Sequence, residues 1–341
     1  MRTLIAMSGG VDSAAASSLL RAAGDEIEGC TLLLCSSEVD AGVIRARRTA
    51  AAVGIPHRTL DLSRDFHREV VEPFCREYLA GHTPNPCVLC NRHIKLGALY
   101  DYARREGFDR LATGHYVRIE QVAGRYRLCK ARDAQKDQSY FLYHLREEQL
   151  ANLCFPLGDM TKEEARRAAE AVGLFEVAAA KESQDICFVP HGDYAAVIEA
   201  VTGELPPPGS FVDAAGTVLG THRGILRYTL GQHKGLGVAL GRVRYVTAIR
   251  ADRHEVVLGD EADLYTTTVS VGRMHYIGDR PTAPHRAAAK LRYRQREEAV
   301  TVYPEGEGAR LVFDRPQRAP TPGQSCVLYE GDFVLGGGII L

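Results

Sequence analysis

At 341 residues, with 45% hydrophobic and 25% charged side chains, the chain has an ordinary globular composition and the length of two or three domains. A net charge of -1 and a pI near 6.9 exclude a globally basic nucleic-acid binder, so contact with a polyanion must be built locally. No stretch reaches the roughly 18 apolar residues of a membrane span, residues 1 to 6 lack a signal peptide's apolar core, and nine scattered cysteines make no disulfide framework; a cytoplasmic location with no membrane partner is expected.

The apolar run Thr3 to Ala6 leads into Ala6-Met7-Ser8-Gly9-Gly10-Val11-Asp12-Ser13 and then into the helix-forming stretch Ala14 to Ala23. That order predicts a buried strand, a tight turn and a helix N-terminus, which is how α/β proteins build a phosphate site. Two adjacent glycines free the backbone to aim N–H groups at one point, and Ser8 and Ser13 add hydroxyl donors. The turn lacks the Gly-Lys-Ser/Thr ending of a Walker A loop, so phosphoryl transfer is not required of it.

Ile27 to Leu34 reads as a second strand, residues 41 to 53 as a helix ended by Gly54, His57 to Leu62 as a short strand and residues 64 to 80 as a helix. Such alternation predicts a doubly wound parallel sheet with its ligand above the C-terminal strand ends. Residues 81 to 91 carry Pro84 and Pro86, which predict a stiff non-helical loop presenting Asn85, Cys87 and Cys90; a helix resumes over Ile94 to Glu106. A single Cys-x-x-Cys pair puts two sulfurs within reach of one metal or of each other, and without a second pair nearby a structural zinc site is not expected.

Leu111 to Tyr116 reads as a strand entering a glycine turn, which points His115 at the same cleft. A hairpin is expected over 117 to 130, and spacing alone makes Lys136-Asp137-Gln138 a solvated turn. Thr161-Lys162-Glu163-Glu164 is a capping box opening a helix that Gly173 closes. Cys187, between Ile186 and Phe188, reads by itself as a buried inert thiol.

Residues 203 to 209 form a Pro-rich linker, and the expected boundaries are 1–205 for the catalytic unit, 206–268 for a central β-rich module and 269–341 for a C-terminal β-barrel. The glycine-spaced stretch 224 to 237 suits either a loop approaching a phosphate backbone or a structural turn. Between Arg273 and Arg296 seven Arg/Lys face one Asp, and Lys290, Arg292, Arg294 and Arg296 fall at period two. On a strand they would line one face, either as an RNA track or as charges guarding an edge strand.

Ser-Gly-Gly-Val-Asp-Ser resembles the loop of the PP-loop ATP pyrophosphatases, which cleave ATP between the α- and β-phosphates. Together with Thr-Pro-Asn-Pro-Cys-Val-Leu-Cys-Asn, Ala-Thr-Gly-His-Tyr, Lys-Asp-Gln-Ser-Tyr-Phe-Leu, Ser-Gln-Asp-Ile-Cys-Phe, Arg-Tyr-Thr-Leu-Gly-Gln and the tail Pro-Gly-Gln then Leu-Gly-Gly-Gly, it resembles the bacterial tRNA-specific 2-thiouridylases, the MnmA family. The resemblance implies ATP- and Mg2+-dependent adenylation of the C2 oxygen of a wobble uridine, followed by sulfur transfer to C2. Ala6 to Ser13, Leu32 and Gly114 are then ATP-binding, with Asp12 and Ser13 placing pyrophosphate and its magnesium. Cys187 matches the persulfide carrier and Cys90 the second catalytic cysteine. Asn85, Pro86 and Cys87 match the segment facing the target base, and His115, Lys136, Asp137, Gln138, Arg292, Tyr293 and Gln324 match tRNA-contacting positions. The partners implied are a tRNA and a sulfur donor, which is a relay protein, a cysteine desulfurase or sulfide.

The chain departs from the family at Cys87, where many members carry an aspartate; a thiol titrating near pH 8.5 is a different acid. With Cys90 and Cys187 it gives three thiols, which suit either a persulfide route or the three ligands of a [4Fe-4S] cluster with one open iron. Adenylation for nitrogen transfer, a non-catalytic iron-sulfur or zinc RNA-binding protein, and a redox sensor using Cys87 and Cys90 are the competing readings.

Overall fold

The computed structural model describes residues 1–35, 39–175, 178, 186–189 and 192–341. Five strands, β1 (Arg2–Ala6), β2 (Glu26–Leu33), β3 (His57–Asp61), β4 (Arg110–Ala112) and, after the hairpin described below, β7 (Leu153–Cys154), form one sheet in the order β3-β2-β1-β4-β7, with every pair parallel. Leu4 and Ile5 are fully buried because helices cover both faces, as a parallel sheet requires. The chain leaves β1 toward β2 on one side and β4 lies on the other, so the β1/β4 crevice is the switch point where such sheets bind ligands. The expected doubly wound sheet is therefore present.

Helix α1 (Val11–Ala22) follows the glycine turn with Ala14, Ala15 and Ala16 fully buried, small side chains that let it lie close on the sheet. Helix α2 (Val39–Val53) and a helix over 63–79, α3, match the expected elements; α3 carries a π-helical turn over His67–Val71.

The stiff loop expected over 81–91 is corrected in its second half. Pro86 opens a helix, α4, that runs over 86–105 with a π-helical stretch Cys90–Ala98. Proline is tolerated at the first helical position because its missing N–H has no helical acceptor there. Asn85 caps the helix, its Oδ1 accepting from Cys87 N at 3.2 Å. Cys87 and Cys90, three residues apart on the first turn, consequently share a face.

Helix α5 (Lys162–Glu170) has the expected capping box: Glu164 N donates to Thr161 Oγ1 at 3.2 Å and Thr161 N to Glu164 Oε2 at 2.7 Å. Helix α6 (Tyr194–Thr202) ends at Gly203, whose φ of 75° is left-handed, and residues 204–208 have no regular structure. Beyond them β8 (Gly209–Val212), β9 (Val218–His222), β10 (Tyr245–Arg250) and β11 (Glu255–Gly259) form a four-stranded sheet.

Strands β12 (Tyr265–Tyr276), β13 (His285–Lys290), β14 (Glu298–Glu305), β15 (Gly308–Arg318), β16 (Ser325–Glu330) and β17 (Phe333–Ile340) close into a six-stranded antiparallel barrel, because β12 pairs with both β15 and β17. The glycines of the terminal Leu-Gly-Gly-Gly serve that closure: a Cβ on Gly336 would lie 2.0 Å from His275 O, and one on Gly338 would lie 2.5 Å from Gly272 O. The expected hairpin forms as β5 (Arg118–Val122) and β6 (Arg125–Cys129) and extends the barrel sheet through Phe333↔Cys129. The period-two basic face is corrected: β13 ends at Lys290, and Leu291 N to Gln295 Oε1 (3.2 Å) with Gln295 N to Arg292 O (3.1 Å) closes a turn instead. Among the described residues no helix is long and apolar enough to cross a membrane.

Candidate active site

The turn after β1 is held in shape from within. Ser13 Oγ donates to Gly10 O at 2.9 Å and accepts from Ser8 N at 3.3 Å, while Gly10 N donates to Ser8 Oγ at 3.4 Å. Gly9 has φ 75°, and a Cβ there would meet Gly42 O at 2.6 Å, so α2 leaves room for glycine alone. Met7, under the turn, is fixed by Met7 N to Cys30 O and by Thr31 Oγ1 to Met7 O, both 2.8 Å. Leu32, one residue before the end of β2, packs between the sheet core and the cluster that contains Cys90.

Two residues that sequence spacing did not single out converge on Asp12. Lys162 Nζ donates to Asp12 Oδ1 at 2.7 Å, and Tyr116 OH donates to the same oxygen at 2.8 Å. Lys162 is only 7% exposed. As the first residue of α5 it brings a cation to a loop whose own sequence has none, from 150 positions away, where no local pattern could reveal it. Gly114 closes the same corner: a Cβ on it would lie 2.9 Å from the Asp12 carbonyl carbon, so β4 meets α1 there only through glycine.

His115, the next residue, is half-buried with Nδ1 2.6 Å from Thr113 Oγ1 in a shared hydrogen bond. Desolvation, then the charge of Lys95, pushes its pKa down to about 3, so the ring is neutral at physiological pH. Lys95 lies on the π-helical stretch of α4 and also acts on Cys87 and Cys90, whose pKa values it lowers against a larger desolvation. Its charge acts on both the crevice histidine and the thiols, a role no local pattern signals because a lysine on a helix ordinarily faces water.

Cys90 is buried, and its pKa is pushed up to about 12 by desolvation, opposed by Lys95 and reinforced by Cys187, Cys87 and Cys35. Cys87 is exposed, yet enough protein surrounds it for desolvation to raise its pKa. Cys187 is exposed, which corrects its reading as a buried inert thiol. Its neighbours are apolar and packed: Phe188 lies edge-on against Phe66 and Phe74, at 5.6 and 5.1 Å between ring centroids, in the cluster that contains Cys90. Residues 179–185 of the Ser-Gln-Asp-Ile-Cys-Phe block and its upstream neighbours lie outside the described residues. Among the described residues no group of three or more His, Cys, Asp or Glu is arranged to hold a metal ion.

The barrel docks on the thiol loop. Gln324 Nε2 donates to Thr83 O at 2.6 Å and Thr83 N to Pro322 O at 2.9 Å, so the tail Pro-Gly-Gln fixes the segment leading to Asn85 and Pro86. Asp137 is buried, against its reading as part of a solvated turn; it accepts from Ala131 N, Ser139 N and Ser139 Oγ and lies 3.7 Å from Lys290 Nζ. Gln138 Oε1 accepts from Tyr116 N at 2.9 Å, tying this loop to the residue on Asp12, and Lys136 beside it is half-buried. Tyr293 packs on Phe141 at 4.5 Å, and the half-buried Arg292 donates to Ala319 O and to Thr321 Oγ1. Arg294 and Arg296 are exposed on the same turn. In the central module, His233, Arg242 and Arg244, on the irregular stretch before β10, line an open cavity of about 520 Å³ together with Gly235 and Gly237 of the glycine-spaced loop.

A parallel sheet with a Ser-Gly-Gly-Val-Asp-Ser turn at its switch point defines an α/β protein of the PP-loop ATP-binding class. Residues 1–191 match the family described as the tRNA methyl transferase HUP domain, 197–260 its PRC-barrel domain and 266–340 the aminomethyltransferase beta-barrel domain. The tRNA-specific 2-thiouridylase MnmA of Desulforudis audaxviator is 46% identical over 98% of this chain and 97% of its own, and that of Moorella thermoacetica 47% identical over 99% and 98%. The chain belongs to the MnmA family. Among solved structures, a 4-thiouridine synthetase–RNA complex with bound ATP is 18% identical, covering 55% of this chain and 44% of its own, with a TM-score of 0.36.

Proposed function

We propose that this protein is an ATP-dependent tRNA-uridine 2-sulfurtransferase acting on the wobble uridine, with residues 1–205 as the pyrophosphatase unit, 206–268 as a tRNA-contacting module and 269–341 as the barrel. The observation that carries the reading is an exposed Cys187 whose neighbour Phe188 packs in the same apolar cluster as the buried Cys90. Thiols gathered at the cluster of Cys90 and Cys35, beside the strand that flanks the pyrophosphate loop, support sulfur transfer over the methyl transfer of the family descriptions.

In this account the C2 oxygen of the uridine attacks the α-phosphorus of ATP, the bond to the bridging oxygen breaks, and pyrophosphate leaves into the turn of Ser8 to Ser13. Backbone N–H groups, the α1 N-terminus and Lys162 meet the charge that develops on the leaving group. Magnesium, when bound with ATP, screens the phosphates; the Asp12 carboxylate is the donor that fits it. Neutral His115 offers a hydrogen bond to the base without a competing cation.

A sulfur donor charges Cys187 as a persulfide. The terminal sulfur attacks C2, the C2–O bond breaks, and AMP leaves with the electron pair. The Cys90 thiolate, favoured by Lys95, then attacks Sγ of Cys187; the S–S bond breaks with its electrons on the sulfur now at C2, and a Cys90–Cys187 disulfide forms for an external dithiol to reduce. Soft thiolates at Cys87, Cys90 and Cys187 match the donor chemistry of a [4Fe-4S] cluster, but among the described residues these thiols are not grouped to hold a metal ion. Cys87 is then an exposed thiol facing the base.

Unmodified tRNA should make the protein release AMP and pyrophosphate in equal amounts, with 2-thiouridine when sulfane sulfur is supplied. Cleavage of ATP to ADP and phosphate, or no cleavage with any tRNA, would refute the assignment.

A further inference from the structure

Cys35 is a fourth thiol at the same apolar cluster. β2 ends at Leu33, at the C-terminal end of the sheet where the phosphate turn lies, and Leu34 and Cys35 continue beyond it to pack in the cluster of Phe66, Phe74, Cys90 and Phe188. Cys35 is half-buried, whereas Cys90 is buried and Cys187 exposed. The three therefore lie at graded depths around one apolar cluster, with Cys90 innermost. Electrostatic coupling of Cys90 to both Cys35 and Cys187 agrees with that arrangement.

We propose that Cys35 is a relay thiol that takes the disulfide from Cys187 after each sulfur transfer, an inference that rests on the persulfide reading above. The Cys35 thiolate attacks Sγ of Cys90 in the Cys90–Cys187 disulfide. A Cys35–Cys90 bond forms, the Cys90–Cys187 bond breaks, and Cys187 leaves as a thiolate, with no net change in oxidation state. Burial gives the exchange its direction: the exposed Cys187 is a better leaving thiolate than Cys90, so attack at Cys90 is favoured over attack at Cys187. Cys187 is thereby open to recharging before an external dithiol, attacking at Cys35, reduces the displaced disulfide by two electrons.

The test is a single turnover without added reductant, followed by acid quench, alkylation and peptide mapping. The wild-type protein should show a Cys35–Cys90 link and an alkylated Cys187, and Cys35→Ser should give its first turnover and then recharge Cys187 at least about tenfold more slowly. A Cys90–Cys187 link alone, with Cys35→Ser recharging at the wild-type rate, overturns the relay. A second arm does not depend on thiolation: tRNA-free Cys187→Ser protein oxidised with diamide should form the Cys35–Cys90 link while retaining its circular dichroism spectrum, and failure to form it overturns the pairing. Wild-type protein that makes no 2-thiouridine while the diamide link forms would overturn the persulfide reading and the relay's place in turnover, leaving the pairing established.

Discussion

Lys162 Nζ lies 2.7 Å from Asp12 Oδ1 in a setting where the lysine is almost wholly buried. A buried cation beside a loop built for anions, bonded to the Asp12 carboxylate and facing the Tyr116 ring at 5.7 Å, is placed to turn from Asp12 to a phosphate oxygen. Lys162→Met should slow pyrophosphate release about 10²-fold, with tRNA binding retained and part of the rate restored in Lys162→Arg. Stopped-flow pyrophosphate detection checks this; a change in thermal stability without a change in rate would make the pair structural.

Lys95 supplies the charge that offsets desolvation at Cys87 and Cys90. Removing it raises both thiol pKa values, so the thiolate needed to resolve the persulfide forms only at higher pH. In Lys95→Met the ascending limb of the pH–rate profile for 2-thiouridine formation should move to higher pH, while the rate of AMP formation changes less. An unmoved limb would dissociate Lys95 from the thiols.

The turn after β13 separates two kinds of arginine. Arg296→Ala should lower the salt slope of tRNA binding by about 1 while leaving the melting temperature unchanged. Arg292→Ala removes the bonds to Ala319 O and Thr321 Oγ1 and should lower the melting temperature as well. Filter binding across a salt series, with calorimetry on the same variants, reads both effects.

Acid should destabilise the fold through buried histidines. His144 is buried, neither ring nitrogen has a hydrogen-bond partner among the described residues, and desolvation followed by Arg92 holds its pKa well below the usual value. A depressed histidine pKa leaves stability intact above the unfolded value near 6.5 and removes it as pH falls below that, because the unfolded chain takes up the proton. Urea unfolding of wild type and His144→Phe at pH 7.5 and pH 5 should show the smaller acid loss in the variant.

The parts of the site written in contiguous residues were legible in the sequence. Ser8 to Ser13, the Thr161 capping box and the Cys87/Cys90 pair act over one turn, so spacing reveals them. The strand-helix alternation likewise gave the sheet. What the sequence hid depends on long-range closure: Lys162 reaches Asp12 from another helix, Gln324 reaches Thr83 from the barrel, and Asp137 is polar yet buried because backbone N–H groups surround it. Pro86 misled because the rule against proline in helices does not apply at a first position. The period of two over Lys290 to Arg296 misled because Gln295 folds that segment into a turn.

The central claim is that sulfur reaches uridine through a persulfide on Cys187 beside Cys90. The most direct measurement is 2-thiouridine formation by anaerobically purified, iron-stripped protein charged with labelled sulfane sulfur and given ATP, magnesium and unmodified tRNA. The account predicts one labelled 2-thiouridine per charged Cys187 in the first turnover, none from Cys187→Ser, and a Cys90–Cys187 or Cys35–Cys90 disulfide afterwards. Product that appears only when iron is restored, with Cys187 never labelled, would contradict it.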